Sequence, residues 1–275
     1  MKVKAGLLQY MIRKLLFLLV LVIVTLQLTA CGAEKGHSAI VKGNGDSANQ
    51  PYSVLSESYV IEDIKSDIKI NYPQINGLSN VSTQNSVNSI LKEEAIRITE
   101  VYKSDDDKVH PDVELKVDSV IKRKSERYIS VQYFGAVYVQ NTPHPTNLFY
   151  TTNIDLKNGI KVRLADLVKI DTELIEKFRN GRYIPFDEGL NLEKERVLTD
   201  LIERFTDEEL INMFVAADKM DESNSSFTFS YFTENALGIS IGIPHAVGDH
   251  LEIEIKFDDI KNLIKAEREI WKDGI

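Results

Sequence analysis

The sequence predicts an α+β fold, with mixed and mainly antiparallel sheets packed against helices, after a lipoprotein signal peptide. Three observations predict it. Several short segments alternate apolar and polar residues, as half-buried strands do. Other segments repeat apolar residues three and four positions apart, as amphipathic helices do. Near the N-terminus, the apolar run from Leu15 to Val24 lies between basic residues and a cysteine.

The first 30 residues have the composition of a signal peptide, with four basic side chains and no acidic one. The ten apolar residues of the run are too few for a bilayer span, which needs about 20, but they suit a signal-peptide core. Leu28-Thr29-Ala30-Cys31 is the pattern that lipoprotein processing recognises, in which the Cys31 thiol receives a diacylglyceryl group before cleavage. An uncleaved anchor and ordinary secretion are the alternatives. A start at Met11 would give a more typical signal peptide.

These features predict a protein attached to the cell membrane by an N-terminal lipid, on the extracytoplasmic face. Two or more acyl chains give stable anchoring, because each buried methylene contributes about 0.8 kcal/mol. Cys31 is the only cysteine, so no intramolecular disulfide is available to the exported part. A packed core must therefore supply its stability, and 245 residues after the signal peptide are enough for one.

The exported part is strongly acidic. Without the four basic residues of the signal peptide, the chain has 29 Lys and Arg against 42 Asp and Glu, a net charge of about −13. Nucleic-acid binding requires a basic face, so the charge argues against a nucleic-acid partner. It is compatible with a cationic partner, because opposite charges speed encounter. Simple solubility is the other interpretation of the charge.

We divide the chain into four parts. Residues 1–30 are the signal peptide, and residues 31–51 are the lipidated cysteine with a flexible tether rich in Gly, Ser and Asn. Residues 52–140 form an N-terminal α+β half, and residues 141–275 form a C-terminal α+β half. The tether would let the folded part stand a short distance from the membrane.

The N-terminal half predicts short strands, one helix and a long hairpin. Val87, Ile90 and Leu91 recur at helical spacing, and polar residues occupy the other face. The predicted elements are strands Tyr59–Ile61 and Ile68–Tyr72, ended by Pro73 and by Asn76-Gly77; a helix Ser82–Tyr102; and strands Val113–Ile121 and Tyr128–Val139, joined by a turn at Lys122–Ser125.

The C-terminal half predicts strands on both sides of a helical section. Asn158-Gly159 between alternating segments is a strong hairpin signal, and Thr206 before three acidic residues is a typical helix start. The predicted elements are strands Phe149–Leu156 and Ile160–Leu164; helices Asp171–Phe178, Leu192–Phe205 and Asp207–Ala217; strands Phe227–Phe232, Ile239–Ile243 and Leu251–Phe257; and a final helix Asp258–Trp271.

The histidines do not predict a metal site. His245 and His250, with Asp249, form the only cluster, but they surround a glycine-containing turn and have no thiol or further ligand beside them. We interpret them as polar loop histidines. The same interpretation applies to His37, His110 and His144.

Catalytic motifs are missing from the sequence as well. It contains no Gly-x-Ser-x-Gly, no His-Glu-x-x-His and no glycine-rich phosphate loop. Carboxylate pairs such as Glu208-Glu209 and Asp258-Asp259 are typical of solvated faces and helix N-termini. We therefore predict no catalytic residue, no metal and no cofactor.

Aromatic residues cluster on successive predicted strands. Those of one parity should face the core, while the others either lie at its rim or form an exposed platform for a sugar or a protein. The cluster comprises Tyr128, Tyr133, Phe134, Tyr138, Phe149 and Tyr150.

Several motifs together carry a family resemblance. Thr142-Pro143-His144-Pro145 is followed by Asn153 to Gly159, with the sequence Asn-Ile-Asp-Leu-Lys-Asn-Gly, and by Leu164-Ala165-Asp166-Leu167-Val168. With Tyr72-Pro73-Gln74-Ile75, a helix containing Asn88, and the loop Ile243 to Gly248, these motifs resemble a domain-of-unknown-function family. That family is shared by the ectodomain of the lysozyme-sensing anti-sigma factor RsiV and the non-catalytic N-terminal region of the peptidoglycan deacetylase PdaC. The resemblance covers about residues 55–265, and His245 stands where the family usually has tyrosine.

The resemblance implies an RsiV-ectodomain-like and PdaC-like fold, in which residues 52–140 are the PdaC-like half and residues 141–275 the RsiV-like half. The sequence has no counterpart of the deacetylase's catalytic domain, so we expect no enzyme. The resemblance to the lysozyme-sensing protein implies a cationic partner such as lysozyme, and cell-wall glycan is the other expected ligand.

We therefore expect a non-enzymatic binding module at the cell envelope. The predicted binding surface is Pro143-His144-Pro145 together with Pro244 and His245, because conformationally restricted loops lose little entropy on binding. An accessory component of an envelope complex and a peptidoglycan-modifying hydrolase are the alternative functions.

Overall fold

A computed structural model describes residues 52–63, 66–102, 112–186 and 191–265. The signal peptide, Cys31 and the predicted tether lie outside these ranges, as do His37 and His110. Within them, no helix combines the length and the hydropathy that a membrane span requires. The described residues form two sheets with packed helices, and nearly all strand pairs are antiparallel, which confirms the predicted fold class.

The larger sheet has six strands, and their order across the sheet follows the chain. Strands two and three are parallel, and every other neighbouring pair is antiparallel. The strands are β1 (Ser53–Asp63), β2 (Ser66–Asn76), β3 (Val113–Lys124), β4 (Tyr128–Val139), β5 (Thr146–Asp155) and β6 (Ile160–Val162).

Helix α1 (Val81–Ile96) follows β2 and covers one face of this sheet. It begins at Asn80, whose side chain accepts a hydrogen bond from Thr83 N at 3.0 Å, as a typical N-cap does. Asn88 binds the helix to the sheet, because its amide accepts from Ile75 N at 2.8 Å and donates to Ile75 O at 2.9 Å. A 3₁₀-helix, Arg97–Tyr102, continues α1.

The smaller sheet has four antiparallel strands and lies beside a layer of short helices. Apolar side chains of this sheet and of the helices form one core there. The strands, in their order across the sheet, are β7 (Arg182–Ile184), β10 (His250–Lys256), β9 (Ala236–Gly242) and β8 (Phe229–Phe232); the helices are α2 (Leu164–Leu167), α3 (Thr172–Arg179), α4 (Leu198–Glu203) and α5 (Asp207–Ala216).

Strand β8 joins the two sheets. Phe229 and Tyr231 belong to the core of the larger sheet, whereas Phe232 belongs to the core of the helices and the smaller sheet. As a result, β5 is buried on both faces from Leu148 to Asp155.

Three of the differences between predicted and observed elements have a clear physical reason. The predicted helix from Asp258 is a 3₁₀-helix, Phe257–Ile260, after which Ile264 pairs with Val168 as an isolated bridge; residues 266–271 of the prediction lie outside the described residues. The helix predicted from Leu192 begins only at Leu198, because Arg196 takes a left-handed φ of 58°. Strand β2 continues through Pro73. Strand β3 pairs with β2 only as far as Ile70, so at Pro73 that edge of β2 is not bonded to β3. A proline, which has no N–H to donate, is tolerated at such an edge.

Candidate functional site

The two loops predicted as a binding surface meet in the structure. The rings of His144 and His245 lie 6.1 Å apart between centroids, at 27° to each other. Pro143, His144 and Pro145 are exposed, and so are Pro244 and His245. The folded chain therefore brings together residues that are about a hundred positions apart in the sequence.

Asp249 holds these loops together. Its Oδ2 accepts a hydrogen bond from Asn147 N at 2.8 Å, and its Oδ1 lies 2.8 Å from His245 Nδ1. Its backbone carbonyl accepts from Ile243 N at 2.9 Å. One residue thus links the start of β5, the 3₁₀-helix His245–Val247 and the last residues before that helix.

The backbone around Asp249 has an unusual conformation. Gly248 has φ 113° and Asp249 has φ 73°, so two consecutive residues lie in the left-handed region. Glycine takes this conformation readily, and aspartate tolerates it better than most residues. This bend turns the chain from the exposed His245 into the buried strand β10. In the sequence, Asp249 stands out only as a possible metal ligand beside His245 and His250; the signal for its linking role is the Gly-Asp pair before a strand.

A cleft of about 420 Å³ lies beside the loops. Thr146, Asn147, Pro244 and Asp249 line it where it borders the loop pair. Its other walls are mainly aromatic and aliphatic, and they include Tyr102, Leu148, Phe149, Phe205, Phe227, Phe229 and Ile243.

Tyr102 is a polar residue of the cleft wall whose ionisation is perturbed. Burial raises the pKa of its hydroxyl to about 12, and the negative charge of Asp249 adds to the effect. The phenol therefore stays neutral at physiological pH.

His250 also forms part of the cleft wall, and the prediction that it is a polar loop histidine is wrong. It is the first residue of β10 and only 7% exposed. The rings of Phe149 and Phe186 lie 4.9 Å and 5.2 Å from its imidazole, between centroids. Its Nε2 lies 3.7 Å from Glu252 Oε1, and its Nδ1 has no hydrogen-bond partner among the described residues.

The described residues contain no group of three or more side chains that could hold a metal ion. His245 faces Asp249 with one nitrogen, while His250 is directed to Glu252. The arrangement therefore uses each histidine in a separate pair.

A second crevice, of about 250 Å³, is lined almost entirely by charged residues. Three of its four basic groups are paired with acids: Glu94 pairs with both Arg97 and Lys161, and Asp166 pairs with Arg163. Because these charges compensate one another, the crevice offers a ligand little net charge.

Two of the sequence motifs that carry the family resemblance are structural. Asn153 accepts from Ser130 Oγ at 2.7 Å and donates to Ser230 O at 2.8 Å, which binds strands β4 and β5 to β8. Ser230 in turn donates through its N and Oγ to Asp218, at 2.6 and 2.7 Å. Asp218 also accepts from Leu164 N at 2.6 Å, and burial raises its carboxyl pKa. These residues form a buried network between the sheets.

The aromatic cluster divides between core and surface. Tyr133 and Tyr150 are buried and stacked, 4.7 Å apart between centroids, and their hydroxyls donate to carbonyls of α1. Phe134 and Tyr138 are 40% and 39% exposed on β4. A small exposed aromatic surface therefore exists besides the loop pair.

No family model matches the chain, and no curated protein matches it. Solved structures are similar to it. A member of the DUF3298 family from Bacteroides fragilis NCTC 9343 is 13% identical, with a TM-score of 0.49, over 82% of this chain and 99% of that one. A DUF3298 family protein from Pseudomonas aeruginosa PAO1 is 8% identical, with a TM-score of 0.45, over 79% of this chain and 95% of that one. These structural neighbours are thus proteins of a domain-of-unknown-function family.

Proposed function

We propose that this chain is a lipid-anchored binding module on the extracytoplasmic face of the cell membrane, and that it has no catalytic activity. Its ligand is a cationic protein such as lysozyme or a glycan of the peptidoglycan type. In the same proposal, the module belongs to the family shared by the RsiV ectodomain and the N-terminal region of PdaC. Signalling inward would require another protein.

The loop pair carries the proposal. Pro143, His144, Pro244 and His245 are exposed, yet Asp249 fixes both loops through a backbone N–H and an imidazole. A surface that is already ordered loses little conformational entropy when a ligand binds. Proline and histidine rings also offer contact area with few rotatable bonds.

Charge supports the choice of a cationic protein. The exported part has a net charge of about −13, from 29 basic and 42 acidic side chains. Such a body attracts a basic partner over about one Debye length, roughly 8 Å at physiological salt. Binding to a cationic protein should therefore weaken as salt is added, whereas binding to a neutral glycan should not.

The test is capture by the full-length lipoprotein in detergent micelles of a hen-type lysozyme and of purified peptidoglycan, at low and at physiological salt. We expect binding to at least one of them, weakened about tenfold by the double variant His144→Ala, His245→Ala. The matched control is Phe134→Ala, Tyr138→Ala, which removes two exposed aromatic rings elsewhere. No binding to either ligand at low salt would refute the proposal, and loss of binding only in the control pair would move the site to β4.

A hydrolase is the second candidate, and one observation favours it. The 2.8 Å contact between His245 and Asp249 is the arrangement of a general base and the carboxylate that orients it. No hydroxyl group of the described residues hydrogen-bonds to His245, so in such a reaction the pair would act on a water molecule. Release of sugar or acetate from peptidoglycan, abolished by His245→Ala, would establish this function instead. An accessory role would be recognised by co-purification of a stable envelope complex.

A further inference from the structure

The unpaired nitrogen of His250 is the feature of the cleft that no described contact explains. Its residue is 7% exposed, and Nδ1 is shielded from solvent without a hydrogen-bond partner among the described residues. A buried polar atom without a partner is costly, typically by more than a net hydrogen bond contributes. A ligand group that satisfies this nitrogen therefore gains affinity.

The neighbours of His250 determine which kind of group that is. Nε2 lies 3.7 Å from Glu252 Oε1, which leaves Nδ1 as the imidazole nitrogen without a partner among the described residues. An imidazole nitrogen accepts a hydrogen bond when it carries no proton and donates one when it does. A hydroxyl group satisfies it in either state, because a hydroxyl is both donor and acceptor.

The cleft walls indicate which kind of side chain carries the group that bonds to Nδ1. Phe149, Phe205, Phe227 and Phe229 surround the space together with Tyr102, and the cleft measures about 420 Å³. Aromatic walls favour a flat ring, which packs against them edge-on or offset. The side chain that combines an aromatic ring with a hydroxyl is tyrosine.

Phe227 at the rim is an independent sign of function. Its side chain is 47% exposed, and its backbone has φ 44°, a conformation that a bulky residue rarely adopts. Strain of this kind costs about 1–3 kcal/mol and is found most often at binding and active sites. Here it places an aromatic ring at the entrance of the cleft.

We propose that the cleft is an anchor pocket for a tyrosine side chain of the partner protein, with the phenol hydroxyl bonded to His250 Nδ1. Because Nδ1 is shielded, the imidazole turns toward the cleft as the hydroxyl enters. The pocket borders the loop pair at Pro244 and Asp249, so one partner can contact both. Only the source of the ring rests on the proposed function; the acidic body makes a basic protein that source.

Two probes that differ by a single hydroxyl group test the pocket directly. N-acetyl-tyrosinamide and N-acetyl-phenylalaninamide are titrated against the full-length lipoprotein, with saturation-transfer NMR as the readout. We expect the tyrosine probe to bind about fivefold more tightly, which is the effect of one additional hydrogen bond. Equal affinities, or no binding of either probe, would overturn the proposal without any variant being needed.

Two variants separate the hydrogen bond from the cavity. His250→Phe removes the imidazole nitrogen but keeps a ring between Phe149 and Phe186, so it should abolish the fivefold preference and retain the binding of the phenylalanine probe. Ser225→Trp, at an exposed rim position, should block both probes without disturbing the core. A preference that persists in His250→Phe would also refute the assignment.

The same variants distinguish this inference from the proposed function. If the probes bind as expected but neither lysozyme nor peptidoglycan is captured, the pocket stands and the proposed partner fails. If a protein is captured equally well by wild type and Ser225→Trp, the partner stands and the pocket is not its anchor.

Discussion

Replacing Asp249 should lower the free energy of unfolding, and the size of the loss should depend on the residue that replaces it. Asp249→Ala removes the acceptor for Asn147 N, and a hydrogen bond to a charged group contributes about 1.5–3 kcal/mol. The contact with His245 adds little, because that side chain is 47% exposed and solvent screens it. Alanine at φ 73° adds strain of about 1 kcal/mol. The expected total is a loss of about 2–4 kcal/mol in the free energy of unfolding.

Two further substitutions separate the components of this loss. Asp249→Gly loses the same hydrogen bonds but relieves the left-handed strain, so it should be about 1 kcal/mol more stable than the alanine variant. Asp249→Asn keeps an acceptor for Asn147 N and tolerates the backbone conformation, so it should cost less than about 1 kcal/mol. The expected order of stability is therefore wild type, asparagine, glycine, alanine.

Urea denaturation of the four proteins measures these differences, and hydrogen exchange at the Asn147 amide reports the local bond. Glu234→Ala, at an exposed acid between β8 and β9, serves as the control and should leave the unfolding midpoint unchanged. Equal stabilities for the asparagine and alanine variants would refute the linking role of Asp249. A glycine variant no more stable than the alanine variant would refute the strain at this position.

Three other outcomes follow from buried contacts. Gly238→Ala should lower the free energy of unfolding by about 3 kcal/mol or more, because the new Cβ would lie 2.1 Å from Tyr231 Cζ. The loss should be smaller when Tyr231 is replaced by leucine. A double-mutant cycle that shows no coupling between the two positions would contradict this. Asn153→Ala should cost about 3 kcal/mol in urea denaturation, because its buried amide binds β5 to β8; a loss under about 1 kcal/mol would show that the link is dispensable. Stability should fall between about pH 10 and 12, since the pKa of Tyr102 is raised to about 12 and the unfolded chain releases that proton first. Tyr102→Phe should reduce this loss of stability in urea denaturation between about pH 10 and 12. An identical pH profile for the variant and the wild type would contradict the raised pKa of Tyr102.

The sequence predicted the fold class and most elements because their signals are local. The strand Tyr128–Val139 and the Thr206–Glu209 capping box appear as predicted. Errors arose where a distant partner decided the conformation: Ile264 pairs with Val168, nearly a hundred positions earlier, and this contact replaces the helix predicted from Asp258.

The candidate site was predictable only in part. The loop residues His144 and His245 were identified, and their rings lie together in the structure. The burial of His250 and the linking role of Asp249 were not identified, because both depend on which strand the loop enters and on what packs against it. Sequence spacing carries no information of that kind.

The network of Asn153, Ser230 and Asp218 lies between the sheets, while the loop pair lies at the surface. Asn153 thus belongs to the scaffold, whereas the loop residues face solvent. In a saturation mutagenesis library scored once for cellular abundance and once for ligand capture, substitutions in the network should lower abundance, and substitutions in the loops should lower capture. Other loop sequences placed on this scaffold should then change the choice of ligand and leave the yield of folded protein unchanged.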